Sequence, residues 1–222
     1  QIIRRNPNDR PLVITESLFS MEGSSPKLKK MVEICDKYGA RLLVDEAHAL
    51  GVMGSKGRGL SYGIKEPLVM ISGTFGKAFG SGGAFLATNN ELGDKLLQMS
   101  GAFRYTTALA PPLAAAAMAA LTLIQSNPEW ASELRQEASY WRAQFIDEGW
   151  DIPYGEGPIL PVIFGSDEEV LYRQNQLEKK GFLIVAIRPP TVPLGQARLR
   201  FVIRRNLPKN SLERVLETLK EK

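Results

Sequence analysis

The sequence is poor in the residues that most often build metal and redox sites: Cys35 is its only cysteine and His48 its only histidine. One cysteine excludes an intrachain disulfide and a cysteine-based metal cluster, as a reducing cytoplasm permits. One histidine excludes a histidine-rich zinc site, and Asp45, Glu46 and His48 are too few and too adjacent to replace it. Metal is therefore not expected. Long apolar runs are also missing: none approaches the roughly 20 residues of a membrane span. Gln1-Ile2-Ile3-Arg4-Arg5-Asn6-Pro7 does not have the pattern of a signal peptide. Neither charge sign dominates. Against 28 Lys and Arg stand 24 Asp and Glu, a net charge of +4, and the signs alternate along the chain. Nothing here calls for nucleic acid or an anionic membrane as partner, and a cytoplasmic location is expected. The chain lacks an initiator methionine and enters a strand pattern at Leu12-Val13-Ile14-Thr15-Glu16 without a preceding helix, so a missing N-terminal portion is expected.

What is present is a globular composition. With 222 residues and 44% hydrophobic side chains, the chain can bury the core of one large domain or two small ones. Ser25 stands as a helix cap with Pro26 at the first helical position, Leu28, Met31, Val32 and Cys35 recur at helical spacing, and Gly39 marks the stop. Short apolar runs at 41–45, 68–72 and 84–88 predict buried strands. Such strands, alternating with a helix and glycine-rich loops, predict an α/β sheet covered on both faces with its chemistry at the strand ends. Pro111-Pro112 opens an alanine-rich helix over 113–124, and a second helix is expected over 128–148. Beyond Trp150 the pattern turns to strands over 159–164, 182–187 and 197–203 and a helix over 168–180. A terminal helix follows, with Leu212, Val215, Leu216 and Leu219 on one stripe and Asn210 and Glu213 as a capping pair. The expected division is 1–113, a C-terminal part of a large domain; 114–149, connecting helices; and 150–222, a small α+β domain.

The residues that carry chemistry lie at strand exits. Gly73 to Gly83 holds five glycines around the single Lys77, a composition suited to close approach of backbone to a bulky ligand. An exposed loop lysine is the plain alternative. Asp45 emerges from the buried run Leu42-Leu43-Val44, where a carboxylate needs a fixed partner to offset desolvation; a protonated pyridine nitrogen would serve, and a turn cap is the structural alternative. His48, three residues on, suits a hydrogen bond to an anionic ligand oxygen, or is a structural imidazole. Thr74 and nearby amides suit a phosphate, and Ser20 occupies another strand-exit loop; either is otherwise a turn residue.

Val44-Asp45-Glu46-Ala47-His48 also reads as the acidic box of a DEAH-type nucleic-acid motor, with Ser72-Gly73-Thr74 as its companion. That reading requires an upstream G-x-x-x-x-G-K-[ST] phosphate loop, which is absent here and would have to lie in a missing N-terminal portion, and it leaves Lys77 unexplained. A third possibility is a binding subunit that keeps the architecture of an enzyme without its catalysis; retention of Lys77 opposes it.

Together, Thr15-Glu16-Ser17-Leu18-Phe19-Ser20-Met21-Glu22-Gly23, Val44-Asp45-Glu46-Ala47-His48, Gly73-Thr74-Phe75-Gly76-Lys77-Ala78-Phe79-Gly80 and Arg188-Pro189-Pro190-Thr191-Val192-Pro193 resemble, in order and spacing, the α-oxoamine synthase family of pyridoxal 5'-phosphate (PLP) enzymes. The resemblance implies a fold-type I, aspartate aminotransferase-like α/β architecture and a homodimer with shared active sites. By position it implies Lys77 as the Schiff-base lysine, Asp45 as partner of the pyridine nitrogen, and His48 and Ser20 as neighbours of the phenolic oxygen. Thr74 is implied as a phosphate ligand, Thr106 and Thr107 as the segment reaching the neighbouring subunit's phosphate, and Arg200 as the arginine that pairs with the amino-acid carboxylate. The Arg188 block is most similar to the branch that condenses L-alanine with a pimeloyl thioester, on coenzyme A or acyl carrier protein, in biotin biosynthesis. Thr191 and Arg188 then become candidate substrate contacts. Phe201-Val202-Ile203-Arg204-Arg205-Asn206 lacks the histidine many relatives carry after this arginine, and relatives that use glycine or serine stay open as alternatives. The family's ring-stacking histidine and a phosphate-binding loop belong to an N-terminal half not visible here, so the 222 residues by themselves are expected to be inactive.

Overall fold

The computed structural model describes residues 11–221; Gln1 to Pro7 lie outside them. The chain forms two units, the first made of residues up to Leu18 with Ser25–Glu129, the second of Phe19–Ser24 with Trp130 onward.

The first unit is built on a four-stranded sheet in the order β1-β2-β3-β4, comprising β1 (Leu12–Glu16), β2 (Arg41–Asp45), β3 (Leu68–Thr74) and β4 (Ala84–Thr88). The first three strands run parallel and β4 returns antiparallel. Parallel register sets Glu16 beside Asp45 and Asp45 beside Ser72, so three polar residues line up at the carboxyl ends of adjacent strands. That is where ligands bind in open α/β sheets.

Helix α1 (Leu28–Lys37) joins β1 to β2 and buries Leu28 and Cys35 against Leu42 and Val44, with Val13, Met31, Val32 and Leu68 packed around them. Strand alternation sends Leu43 and Asp45 to the opposite face. That face carries Ile14 and Leu86, which are 67% and 46% exposed. Cover is thus closer on the α1 side, where Leu42 and Val44 are fully buried, than on the other, where apolar content alone predicts burial on both.

Gly39 ends α1 as its sequence predicts, with φ of +63°, but the start differs. The helix begins at Leu28 with Lys27 at its cap and no side-chain cap bond, so the Ser25-Pro26 signal lies outside it. Two helices that no strong pattern announces follow β4: α2 (Asn90–Met99), capped by Asn89 on the Leu92 amide at 2.9 Å, and the single turn α3 (Gly101–Arg104). Helices α4 (Pro111–Ser126) and α5 (Trp130–Asp147) fall in different units. The division between the two units lies between them.

The second unit contains α5, a three-stranded antiparallel sheet in the order β5-β7-β6, and two further helices. Its elements are β5 (Ile159–Gly165), α6 (Asp167–Lys179), β6 (Val185–Ile187), β7 (Ala197–Val202) and α7 (Ser211–Lys220). Leu160, Val162, Leu199 and Phe201 are buried on one face of this sheet, and Phe145 of α5 is wholly buried beside Trp141 and Phe201 at ring distances of 6.4 and 5.3 Å. Alternation on β7 therefore turns Arg198 and Arg200 to the other face. The strand signal from Phe182 shrinks to three residues, because only Val185 to Ile187 find partners on β7. The Asn210–Glu213 capping pair does not form: Asn210 is left-handed (φ 59°) and makes no side-chain cap bond, whereas a cap needs extended backbone.

Candidate active site

Asp45 closes β2 as a half-buried carboxylate. Its Oδ1 accepts the Ala47 amide at 2.7 Å and its Oδ2 accepts the Ser72 hydroxyl at 2.7 Å. Two bonds orient the group and leave lone pairs for a further donor, since an ionised carboxylate accepts about four. His48, also half-buried, sits in the turn that follows.

Glu46, which sequence reasoning gave no role of its own, is the most buried acid of the site, 1% exposed. Its Oε2 accepts the Ser17 hydroxyl at 2.7 Å and the Leu60 amide at 3.2 Å, and its Oε1 accepts the Ser61 amide at 2.6 Å. A motor's acidic box needs this carboxylate free to handle water beside a nucleotide; here it is consumed by three protein donors. The signal that could have found it is an acid directly after a buried strand and ahead of the glycine-rich run 51–59.

Lys77 is carried by the loop between β3 and β4. The loop is pinned at its neck, where the Phe75 amide bonds the Gly83 carbonyl at 2.9 Å and the Ser81 amide bonds the Phe75 carbonyl at 2.8 Å. Lys77 stands exposed at its tip, and its carbonyl takes the Gly80 amide at 2.9 Å. Thr74 is committed at the loop's base: its hydroxyl donates to the Gly83 carbonyl at 3.0 Å and accepts the Gly76 amide at 3.1 Å. A phosphate oxygen needs a donor, so Thr74 holds one through its hydroxyl only by releasing Gly83. Asp45, Ser72, Thr74 and His48 thus share the carboxyl edge of one sheet, with Lys77 three residues past Thr74. Thr106 and Thr107 are exposed in the segment between α3 and α4.

The remaining candidates lie in the second unit. Ser20 is half-buried in the Phe19–Ser24 segment, and its carbonyl accepts Arg200 Nε at 2.6 Å. Burial lowers the pKa of the Arg200 guanidinium from its ordinary value. Arg198, on the same face of β7 and 3% exposed, is held by the Gln196 carbonyl at 3.0 Å and lies 3.9 Å from Glu22. Thr191 and Arg188 are both exposed, in a turn closed by the Thr191 amide on the Arg188 carbonyl at 3.0 Å.

Residues 1–219 match the family described as aminotransferase class I and II. The 8-amino-7-oxononanoate synthase of Anaeromyxobacter dehalogenans is 38% identical over 204 residues, 91% of this chain and 51% of that protein. The chain spans about half the length of the curated relatives it matches. Among solved structures, a serine palmitoyltransferase of Sphingomonas wittichii superposes with a TM-score of 0.88 at 25% identity, covering 96% of this chain and 54% of that one. The 8-amino-7-oxononanoate synthase of Francisella tularensis superposes with a TM-score of 0.84 at 25% identity, covering 98% and 65%. The motif order, the carboxyl-edge cluster and these matches agree: the chain belongs to the class I and II aminotransferase family of PLP-dependent fold-type I enzymes, with α-oxoamine synthases as its relatives.

Proposed function

We propose that the protein is an acyltransferase that condenses L-alanine with a pimeloyl thioester, releasing carbon dioxide and the thiol and yielding 8-amino-7-oxononanoate. The observation that carries this reading is the two-bond cradle of Asp45 at the same sheet edge as Lys77. The residues fit PLP. Asp45 keeps lone pairs directed away from Ala47 and Ser72, as a protonated pyridine nitrogen requires, and Lys77 is exposed on a loop tethered by its own backbone.

PLP, when bound, supplies an electron sink for charge developing at the α-carbon of an amino acid. Lys77 Nζ would hold the cofactor covalently and would serve as the base that takes the α-carbon proton of alanine and returns one to the product. Asp45 keeps the ring nitrogen protonated. His48 and Ser20 would lie near the cofactor's phenolic oxygen, Thr74 would take a phosphate oxygen on releasing Gly83, and Thr106 and Thr107 would reach the phosphate of the other subunit of a homodimer. Arg200 offers the alanine carboxylate a planar fork, with its Nε already anchored on Ser20. Thr191 and Arg188 contact the acyl substrate, carried on coenzyme A or acyl carrier protein. The cytoplasm is the location this chemistry suits.

The structural likeness to serine palmitoyltransferases supports a second reading, condensation of a different amino acid and acyl chain. The curated relatives named 8-amino-7-oxononanoate synthase, at 36% to 39% identity, favour alanine and pimeloyl. The test is thiol release by the full-length protein with alanine, glycine or serine against pimeloyl and palmitoyl thioesters. Fastest turnover with alanine and pimeloyl is expected, and preference for serine and palmitoyl overturns the substrate assignment. Lys77→Ala should abolish turnover with the fold intact; product formation by that variant removes Lys77 from its role.

A further inference from the structure

Residues 49–61 form a loop with no part in the chemistry proposed above, yet it touches the site at both ends. At its far end the Leu60 and Ser61 amides are held by the buried Glu46 carboxylate at 3.2 and 2.6 Å. Gly59 (φ +84°) permits that approach: a Cβ there would stand 2.6 Å from Glu46 Oε2. The loop is closed on itself by the Gly51 amide on the Gly57 carbonyl at 2.8 Å and the Gly59 amide on the Met53 carbonyl at 3.0 Å. These two bonds tie the loop to itself between its ends. Its near end abuts the lysine loop: a Cβ on Gly51 (φ +82°) would lie 2.6 Å from Ala78 Cβ, and one on Gly73 would lie 2.7 Å from Leu50 Cδ1. Leu50 and Gly51 are therefore packed without clearance against the residue after Lys77 and against the strand that leads to it.

We propose that the 49–61 loop is a positioning element for Lys77, clamped by Glu46 at Leu60 and Ser61 and seating the lysine loop through the close approach of Gly51 to Ala78. Glu46 lies between Asp45 and His48 in sequence, and its own amide bonds the Ser72 carbonyl at 2.8 Å. One buried carboxylate thereby references the lysine loop to the strand ends that carry Asp45 and Ser72. Glu46 is a positioning residue, since its carboxylate is spent on Ser17, Leu60 and Ser61. The inference rests on the PLP reading of Lys77.

The test uses the full-length protein stripped of cofactor and re-supplied with PLP across a concentration series. Borohydride reduction traps the lysine link, and peptide mass spectrometry measures labelling at Lys77. Gly51→Ala should raise the PLP concentration for half-labelling about tenfold, the scale of one overpacked contact. Adding Ala78→Gly returns the lost space but not the backbone strain of an alanine at φ +82°, so the double variant should recover part of the loss relative to Ala78→Gly alone. Glu46→Gln should weaken labelling similarly in protein that circular dichroism shows to be folded; a purely structural role lowers stability but leaves labelling of the folded fraction unchanged. Labelling by Gly51→Ala at the wild-type concentration, or no recovery in the double variant, overturns the inference. Absence of Lys77 labelling in the wild type is a different result, which overturns the PLP reading and the inference with it.

Discussion

Replacing Glu46 by Gln changes one atom and should destabilise the first unit by about 3 kcal/mol. The carboxylate is 1% exposed and accepts three donors, two on Oε2 and one on Oε1. A glutamine offers one acceptor oxygen, so in either orientation its NH2 opposes a backbone N–H: Leu60 if Oε2 is replaced, Ser61 if Oε1 is. Ser17 adapts by rotating its hydroxyl, but the backbone amide cannot. Losing one charge-assisted bond costs about 2 kcal/mol, and stranding a desolvated amide adds about 1 kcal/mol more. Three kilocalories per mole correspond to about a hundredfold in an opening equilibrium. The assay is amide hydrogen exchange of peptides covering 58–64, which should speed by that factor. Tryptophan fluorescence gives an internal control, because Trp130, Trp141 and Trp150 all lie in the second unit. Exchange in 58–64 within threefold of the wild type refutes the claim that the three bonds are formed and buried.

Phe145→Ala should cost about 4 kcal/mol by opening a cavity between Trp141 and Phe201; urea unfolding followed by tryptophan fluorescence reads it, and a loss under 1 kcal/mol contradicts the packing. Burial raises the Cys35 thiol pKa, so above the ordinary thiol pKa of about 8.5 the unfolded chain sheds its proton first and stability falls as pH rises toward the raised folded value. Circular dichroism melts should show that loss in the wild type and not in Cys35→Ala; identical pH slopes refute it. Arg200→Lys removes both the Nε anchor on Ser20 and the planar fork. It should raise KM for L-alanine at least about tenfold, and an unchanged KM excludes Arg200 from carboxylate binding.

The local grammar of the chain was legible because it depends on near neighbours. Apolar runs of five residues became β1, β2 and β4, helical spacing became α1, and Gly39 stopped that helix with the positive φ its position required. The candidates Asp45, His48, Thr74 and Lys77 could be picked out in the same way, since each follows directly from a strand end or a glycine-rich turn. Cap signals failed where the local preference met a stronger constraint. Ser25 and Pro26 lie ahead of a helix that begins only where Leu28 reaches the core, and Asn210 took a left-handed conformation unsuited to capping.

The sequence by itself determined which side chains stand at the strand ends, because side-chain alternation and the loops that interrupt the strands are set within a few residues. Only the tertiary structure decided that Ser72 would hold Asp45, that Glu46 would be spent on Ser17, Leu60 and Ser61, and that the Phe19–Ser24 segment would belong to the second unit with Arg200 on the Ser20 carbonyl. These contacts join residues 14 to 180 positions apart. Their existence depends on strand register and loop packing, which no short stretch of the chain encodes.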